Sequence, residues 1–367
     1  MSKAAELAKW GEVSTNGQVS GRRNIVTNGA MNVAQRSASV TGIGATNGVY
    51  PTVDRFNIGV GGTAGRLTMT QETVSDLPGF TKAIKLDCTT ADTSIGATEF
   101  LQLSQKFEGQ DLQQLKKGTS DAEKLTVSFY VKGNANATCT LELQDKDNTR
   151  FNDQEFSVTT SWNKVSLTFV GDTSGALDDD NANSLECKIW LHAGSNYTGG
   201  TFVSNTWHTT TNTRVSDNQT SFFDSTDRTF FITGLQLEVG SVATPFEHRS
   251  YGEELQLCKR YYNLLTTGEA SKPISNAAAY NANQCSGVIQ LNPEMRAIPT
   301  IDITTVSSGY RYVSKAANTN FDTVALDISN SKQVLWAKSG LSGMTSGSAG
   351  WLQTTSADSY MAFTAEL

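Results

Sequence analysis

The chain of 367 residues lacks several features that common protein classes need. Charged residues make up only 18% of it, its formal net charge is −7, and no cluster of Lys and Arg occurs. Binding to a nucleic-acid backbone needs a basic stripe, so we expect no nucleic-acid partner. No apolar run approaches the roughly 20 residues that cross a bilayer, so we expect no membrane span. The amino terminus MSKAAELAKW also lacks the apolar stretch of a secretory signal, which predicts assembly in a cytoplasm.

Cysteine and histidine are scarce too. An odd number of cysteines without paired spacing does not close a disulfide framework, so we expect reduced thiols that pack as small hydrophobic groups. The three histidines accompany neither a GxSxG nor an HExxH string, and no P-loop or GxGxxG string opens a helix. The sequence therefore predicts a protein that is not an enzyme and that needs no cofactor. The cysteines are Cys88, Cys139, Cys187, Cys258 and Cys285, and the histidines are His192, His208 and His248.

Gly, Ser, Thr and Asn are abundant, and the dominant pattern is an alternation of apolar and polar residues. Every second residue is apolar in LTVSFYV at 125–131, and the same alternation recurs at 137–143, 165–169 and 185–191. Period-two alternation predicts antiparallel strands with one buried face. Because turn-rich stretches separate these strands and no fixed repeat is present, we predict an all-β fold of the jelly-roll β-sandwich type.

The length and the pattern together predict two domains joined by a helix. Residues 1–22 form a docking segment with a short N-terminal helix, in which Ser2 is the N-cap. Residues 23–249 form the jelly roll. Apolar residues then recur at spacings of three and four, which predicts an amphipathic connector helix at 250–266. A smaller C-terminal β-sandwich domain follows at 267–367.

Three separated strings resemble a family of bacteriophage tail-fibre and related virion proteins. The first is RNIVTNGAMNVAQRS at 23–37 with YPTVDRF at 50–56, where Phe56 replaces the family's usual Trp. The second and most specific is FFITGLQLEVGSVATPFEHRSYGEELQLCKRYY at 230–262. The third is MRAIPTIDIT at 295–304 with the terminal FTAEL.

A further segment, LSQKFEG at 103–109 followed by LTVSFYVKG, is similar to the jelly-roll core of carbohydrate-binding modules. The two resemblances imply a carbohydrate-binding-module-like domain in a virion appendage. They also imply a homotrimer whose N-terminal segment docks on other tail or adaptor proteins. They imply no set of ligand residues, because virion proteins of this family vary their loops.

Aromatic residues that fall out of phase with the buried face of a strand are candidates for contacts with a glycan or a neighbouring subunit, since a flat ring outside the core is free to stack. By this reasoning Trp190 and His192 point outward on one strand, and Tyr130 does so on another. Tyr197 and Trp207 lie in the polar segment between strands and are expected to line a ligand edge. The alternative is that these residues pack under a loop or at a subunit interface.

The densest acidic cluster is Asp178, Asp179 and Asp180. It is compatible with a solvated turn, or with a structural Ca²⁺ site in which Asp178 and Asp180 are ligands together with the amides of Asn181 and Asn183. A third interpretation is a pair of catalytic carboxylates for glycoside hydrolysis.

The leading hypothesis from the sequence is therefore a non-enzymatic virion structural protein, a tail fibre or appendage that adheres to host-surface glycans. Repetition of the chain about a threefold axis is expected to raise avidity. An alternative is a purely structural tail or capsid-surface component that joins other virion proteins. A capsule depolymerase is a third hypothesis and requires a cleft with two facing acids.

Overall fold

The structure is a computed structural model that describes Lys3 and residues 22–44, 49–316 and 318–367. The helix predicted at 2–10 lies outside the described residues apart from Lys3. The chain divides into two compact units between Glu254 and Leu255, and the first unit also includes Leu367.

The first unit is built from two antiparallel sheets. Its strands are β1 (Ser39–Ile43), β2 (Asn57–Gly61), β3 (Arg66–Thr73), β4 (Lys82–Thr90), β5 (Phe100–Glu108), β6 (Leu125–Gly133), β7 (Ala137–Asp145), β8 (Arg150–Val158), β9 (Asn163–Phe169), β10 (Asn183–Ala193) and β11 (Thr229–Val239). The six-stranded sheet has the order β1-β3-β4-β11-β6-β9, and the five-stranded sheet has the order β2-β5-β10-β7-β8. Helical turns in the loops are short: α1 (Ser195–Thr198) and the 3-10 turns Gly109–Asp111, Gln113–Leu115, Thr211–Thr213 and Phe222–Asp224.

The alternation seen in the sequence builds the core between these two sheets. On β6, Val127, Phe129 and Val131 are fully buried, and on the facing sheet Leu141 and Leu143 of β7 are fully buried as well. They belong to one continuous apolar cluster that draws residues from both sheets. The predicted all-β sandwich is confirmed, and it follows from period-two burial of apolar side chains.

The first string of the virion-family resemblance closes this sandwich through buried polar contacts. Asn28 has a left-handed backbone with φ of 61°, and its side-chain amide donates to the carbonyl oxygens of Val33 at 2.8 Å and Asp54 at 3.0 Å. The carboxylate of Glu247, from the second string, accepts the N–H groups of Arg23 at 2.6 Å and Asn24 at 2.9 Å. Residues of two strings more than 200 residues apart are therefore hydrogen-bonded to each other, and these contacts stabilise the fold.

The connector helix is shorter than predicted. The helix α2 spans Tyr251–Lys259, and the chain then forms the strand β12 (Tyr262–Thr267), where the prediction had helix to residue 266. This strand pairs antiparallel with the strand β21 (Tyr360–Thr364). Pairing with a strand almost a hundred residues away overrides the local helical spacing. A local sequence pattern cannot reveal such a distant pairing.

The second unit is a smaller two-sheet β domain. Its other strands are β13 (Pro273–Asn281), β14 (Gln284–Gln290), β15 (Thr300–Ile303), β16 (Tyr310–Ser314), β17 (Asn318–Phe321), β18 (Ala325–Ser329), β19 (Gln333–Lys338) and β20 (Ala349–Thr354). A three-stranded sheet has the order β12-β21-β15, and a seven-stranded sheet has the order β17-β16-β20-β13-β14-β19-β18. The fully buried side chains of Tyr310, Tyr312, Trp336, Leu352 and Phe363 form the core between them.

All five cysteines are free and buried, as the sequence predicts. Burial raises the pKa of Cys139 and of Cys187 to about 12. Both thiols lie in the apolar cluster of the first unit. They therefore act there as small apolar side chains and not as nucleophiles or ligands.

Candidate functional site

The outer face of the five-stranded sheet carries two of the predicted contact residues. Trp190 and His192 alternate along β10 with Ile189 and Leu191, which lie in the sandwich core, so the predicted outward phase is correct. Their predicted exposure to solvent is wrong, because both side chains are 0% exposed. The polar segment 194–220 folds back over this face, and we call it the covering segment. Of the two interpretations that the sequence left open, packing under a loop is the one observed for this pair.

Aromatic contacts hold the covering segment to the sheet. The ring of Tyr197 lies 4.9 Å from that of Trp190 and 6.0 Å from that of Phe100. The guanidinium carbon of Arg214 lies 4.0 Å from the ring centroid of Phe151 and 5.0 Å from that of Trp190. The contact of the Arg214 cation with these desolvated rings is favourable. The predicted candidate Tyr197 packs between the covering segment and the sheet, and only part of it is exposed to solvent.

A buried ion pair lies under the same segment. Arg214 donates to both carboxylate oxygens of Glu142 on β7, at 2.6 and 2.7 Å. Burial raises the pKa of Glu142, but the charge and hydrogen bonds of Arg214 outweigh it, and the pKa lies below its usual value. The bidentate geometry and full burial of the carboxylate make this the strongest single anchor of the covering segment.

Asp153 on β8 faces Glu142 across the β7–β8 pairing. Burial, and next the negative charge of Glu142, raise the pKa of Asp153 well above its usual value. The Nε2 atom of His208 lies 2.8 Å from a carboxyl oxygen of Asp153, and burial lowers the pKa of His208. Two adjacent carboxyl groups with separated pKa values are typical of catalytic acids and bases, but here both are fully buried beneath the covering segment.

His192 belongs to a second buried polar group, which lies where the covering segment ends. Its Nδ1 lies 2.7 Å from Oγ of Ser221, and its Nε2 lies 3.1 Å from a carboxylate oxygen of Glu99. The order Ser, His, acid is that of a hydrolytic triad. Here the Ser221 hydroxyl accepts the N–H of Phe223 and so caps a 3-10 turn, and the imidazole is fully buried. The three side chains connect β10 to the chain before β5 and to that turn.

The last candidate of the covering segment, Trp207, is half-buried against the sandwich core. Its indole N–H donates to the carbonyl oxygen of Val170 at 2.8 Å. The ammonium of Lys117 lies 5.4 Å from the ring centroid. These contacts fix the ring on the protein and leave only part of its surface to solvent.

The acidic cluster lies on an exposed loop. Asp178, Asp179 and Asp180 are all exposed, and a carboxylate oxygen of Asp180 accepts the N–H of Ala182 at 2.9 Å. The backbone N–H of Asp178 donates to the side chain of Asp147. Across the part of the chain that the structure describes, no three His, Cys, Asp or Glu side chains are grouped so that they could hold a metal ion.

The outer face of the six-stranded sheet presents a different surface, to which the predicted candidate Tyr130 belongs. Tyr130 is half-buried, and its ring lies 5.3 Å from that of Phe80. Phe80 also contacts Phe246 at 5.1 Å. A bulge in β11 places Gly234 at φ of 65°, and a Cβ there would come within 2.7 Å of Phe80 and 3.1 Å of Tyr130. Glycine is therefore required for both rings to lie on the sheet.

Trp162 and Phe231 extend this surface. Their rings lie 6.2 Å apart in an edge-to-face arrangement. The ammonium of Lys132 lies 4.8 Å from the Trp162 ring centroid and 5.0 Å from that of Phe231. Asp76 accepts the indole N–H at 2.9 Å and pairs with Lys132 at 2.5 Å. We call Tyr130, Lys132, Trp162 and Phe231 together the Trp162 surface.

Neither Trp162 nor Phe231 is among the contact residues predicted from the sequence. The signal for Phe231 is present, because Phe230 and Ile232 alternate inward on β11 and leave Phe231 outward. Trp162 lies just before β9 and outside any alternation. Only the folding of β9 beside β6 brings it next to Lys132.

No protein-family model and no curated protein match the chain. Among solved structures, it is similar to a family 4 carbohydrate-binding module at 12% identity over 58% of this chain and 99% of the module, with a TM-score of 0.30. It is similar to the family 11 module of a Clostridium thermocellum cellulosomal cellulase at 13% identity over 58% of this chain and 100% of the module, with a TM-score of 0.26. It is also similar to the enzymatically active domain of tailspike protein 4 from bacteriophage CBA120, at 10% identity over 59% of this chain and 21% of that chain, with a TM-score of 0.28.

TM-scores this low carry no argument about function, so the fold class rests on the sheet topology and the burial pattern. These define an all-β protein with a two-sheet sandwich in its first unit. Within the described ranges, no helix is long and apolar enough to cross a membrane.

Proposed function

We propose that this chain is a non-enzymatic structural protein of a bacteriophage virion, a tail fibre or related appendage, and that it adheres to host-surface glycans through the Trp162 surface. The observation that carries the adhesive role is the set of partly exposed aromatic rings beside charged side chains on the outside of a sheet. The three resembling strings support the virion assignment.

The Trp162 surface has the chemistry that saccharide recognition requires. Aromatic faces stack on the apolar face of a sugar ring, and charged groups beside them bond its hydroxyl or acidic substituents. The Lys132–Asp76 pair is partly exposed, with 57% of the Asp76 side chain accessible. Exposed ion pairs contribute about 0–1 kcal/mol, so a ligand can exchange one partner at little cost. A sheet also holds these groups in place before the ligand arrives, which lowers the entropy cost of binding.

The covered face of the five-stranded sheet is not proposed as the glycan site. Its aromatic residue Trp190 and its carboxyl groups Glu142 and Asp153 are fully buried under the covering segment. The same burial supports the proposal that the protein is not a hydrolase, because neither His192 nor the carboxyl pair has a face open to a substrate.

We further propose that the chain forms a homotrimer in the virion, with its N-terminal segment bound to tail or adaptor proteins. Three copies about one axis would multiply weak glycan contacts through a high effective concentration. The resemblance to tail-fibre proteins is the support for this part of the proposal.

A glycan array probed with the intact chain tests the adhesive role. We expect binding that Trp162→Ala weakens about tenfold, the usual scale of a lost aromatic contact. Tyr280→Ala is the matched control, because Tyr280 is 73% exposed and belongs to the second unit, whereas the Trp162 surface belongs to the first. Equal binding by the wild type and Trp162→Ala would contradict the proposal.

The alternative, a purely structural component, predicts that Trp162 is inaccessible in the assembled particle. If the chain only joins virion proteins, the indole of Trp162 is covered by a neighbouring subunit. Its accessibility to a fluorescence quencher should then be lost in the assembled particle and present in the isolated chain.

A further inference from the structure

An open groove of about 700 Å³ lies in the second unit, on the seven-stranded sheet. Trp351 of β20 forms one side of it with an indole that is 42% exposed. Ser271, Pro273, Ile274, Ser275, Asn276 and Gln353 form the rest of the lining. A volume of this size is in the range of small-molecule sites, which run from about 300 to 1,000 Å³.

The indole in this groove is held in one orientation. Its N–H donates to the side-chain oxygen of Gln353 at 2.9 Å, and Asn276 of β13 is its direct cross-strand partner. The next outward pair on the same two strands is Ala278 and Ala349. These two small, exposed residues leave the flank of the indole open, so a flat ligand can approach its face without displacing a side chain.

None of the seven lining residues is charged. The nearest charges in sequence, Glu269 and Lys272, pair with each other at 2.8 Å. Arg311, opposite Gln353 on β16, donates to the side chain of Asn320 at 2.7 Å. The Ser275 hydroxyl accepts the indole N–H of the buried Trp336 at 2.8 Å, so it faces the core. The groove therefore presents the indole of Trp351, the amides of Asn276 and Gln353 and the hydroxyl of Ser271. This lining matches a ligand that is uncharged, has an apolar ring face and carries many hydroxyl groups.

We propose that this groove is a second glycan site, specific for a neutral oligosaccharide that stacks on Trp351. The inference rests on the proposed adhesive function and extends it. The Trp162 surface includes Lys132, which pairs with Asp76 beside it, whereas no charged residue lines the groove. The chain thus carries two saccharide sites with different ligand classes, one in each unit.

The sequence contains the signal for this site. In AGWLQT, the inward position of Leu352 places Trp351 and Gln353 outward on the same strand. The same alternation of inward and outward residues places Trp190 outward on β10. Trp351, unlike Trp190, is left 42% exposed by the residues that the structure describes.

The test uses the full chain on an array of neutral and acidic bacterial oligosaccharides, at low and at high salt. We expect at least one neutral oligosaccharide to bind in a salt-independent way and Trp351→Ala to weaken its Kd about tenfold. Trp351→Phe keeps a flat ring and should retain most of the affinity. Tyr280→Ala is the control, because Tyr280 is 73% exposed on the same strand as Asn276 and lies outside the groove.

The groove and the Trp162 surface are tested by different variants, so either can fail while the other binds its ligand. Loss of neutral-glycan binding in Trp351→Ala, with the Trp162-dependent binding unchanged, supports the second site. If no neutral oligosaccharide binds, or if Trp351→Ala and Tyr280→Ala behave like the wild type, the second site does not exist even where the Trp162 surface binds its ligand. Circular dichroism of each variant verifies that it is folded.

Discussion

Arg214 and Glu142, 72 residues apart in the chain, form a bidentate ion pair beneath the covering segment. The pair joins that segment to the middle of a sheet face that would otherwise be open. The segment that it holds in place covers Trp190, a residue predicted to contact a ligand, through Arg214 and Tyr197.

Breaking this pair on one side should destabilise the first unit strongly. In Arg214→Met, the buried carboxylate of Glu142 loses both of its short hydrogen bonds and keeps only the more distant ammonium of Lys188, at 3.8 Å. Removal of one partner from a buried pair costs about 3–5 kcal/mol. We expect a lower free energy of unfolding in urea by this amount. The double variant Arg214→Met with Glu142→Leu should recover most of the loss, because no unpaired charge remains. A double variant as unstable as the single one would show that packing of Arg214, not charge pairing, dominates.

The titration of Glu142, Asp153 and His208 predicts that the free energy of unfolding is greatest at an intermediate pH. The pKa of Glu142 is lowered in the folded state, so its contribution is present above its ordinary value and is lost as the pH falls through the folded value. The lowered pKa of His208 likewise favours the neutral ring and removes stability as the pH falls below 6.5. The pKa of Asp153 is raised, so its contribution is lost as the pH rises through its folded value.

Asp153→Asn should therefore remove the loss of stability with rising pH that comes from Asp153 and keep the loss with falling pH, because the amide resembles the protonated carboxyl group. The measurement is the free energy of unfolding against pH. Asp178→Asn, in an exposed turn, should reproduce the wild-type curve. If stability falls with rising pH in Asp153→Asn as it does in the wild type, another group causes that loss.

The two tryptophans that differ in burial should separate stability from binding. Trp190→Ala opens a cavity under the covering segment and should cost about 3–5 kcal/mol. Trp162→Ala removes only surface contacts with Asp76, Phe231 and Lys132 and should lower the free energy of unfolding by about 1 kcal/mol. Glycan binding should be weakened by Trp162→Ala and unchanged in Trp190→Ala. It is measured at a temperature where both variants are folded.

Gly234 should be required for the Trp162 surface. In Gly234→Ala, the added Cβ clashes with Phe80 and Tyr130 at a left-handed φ, which costs roughly 1–3 kcal/mol. We expect reduced thermal stability and weaker glycan binding together. The exposed Gly340, also at positive φ but with open space around its Cβ position, is the control: Gly340→Ala should leave glycan binding unchanged.

Ser221 should be inert towards acylating reagents. Its hydroxyl is bonded to His192 and to the N–H of Phe223, and the buried imidazole cannot pass a proton to a bound substrate. A fluorophosphonate probe is expected to leave the protein unlabelled. Labelling that disappears in Ser221→Ala would instead show a hydrolase and would overturn the non-enzymatic proposal.

Much of the fold could be predicted from the sequence, and particular residues show why. The alternation of Leu125, Val127 and Phe129 specifies both a strand and its buried face, because side chains of a strand alternate between two sides. The same local pattern failed at Tyr262–Thr267, since a strand of this kind exists only through its pairing with β21. Helical spacing over a few residues does not exclude such pairing.

The sequence by itself determined the all-β class, the burial of the cysteines and the outward phase of Trp190 and Tyr130. All of these follow from composition and from periodicity along one strand. Only the tertiary structure decided which outward face meets solvent. It covered Trp190 with the segment that carries Arg214, while Trp351 stayed open. The physical reason is that coverage depends on contacts between distant parts of the chain, such as Arg214 with Glu142, and these have no periodic trace in the sequence.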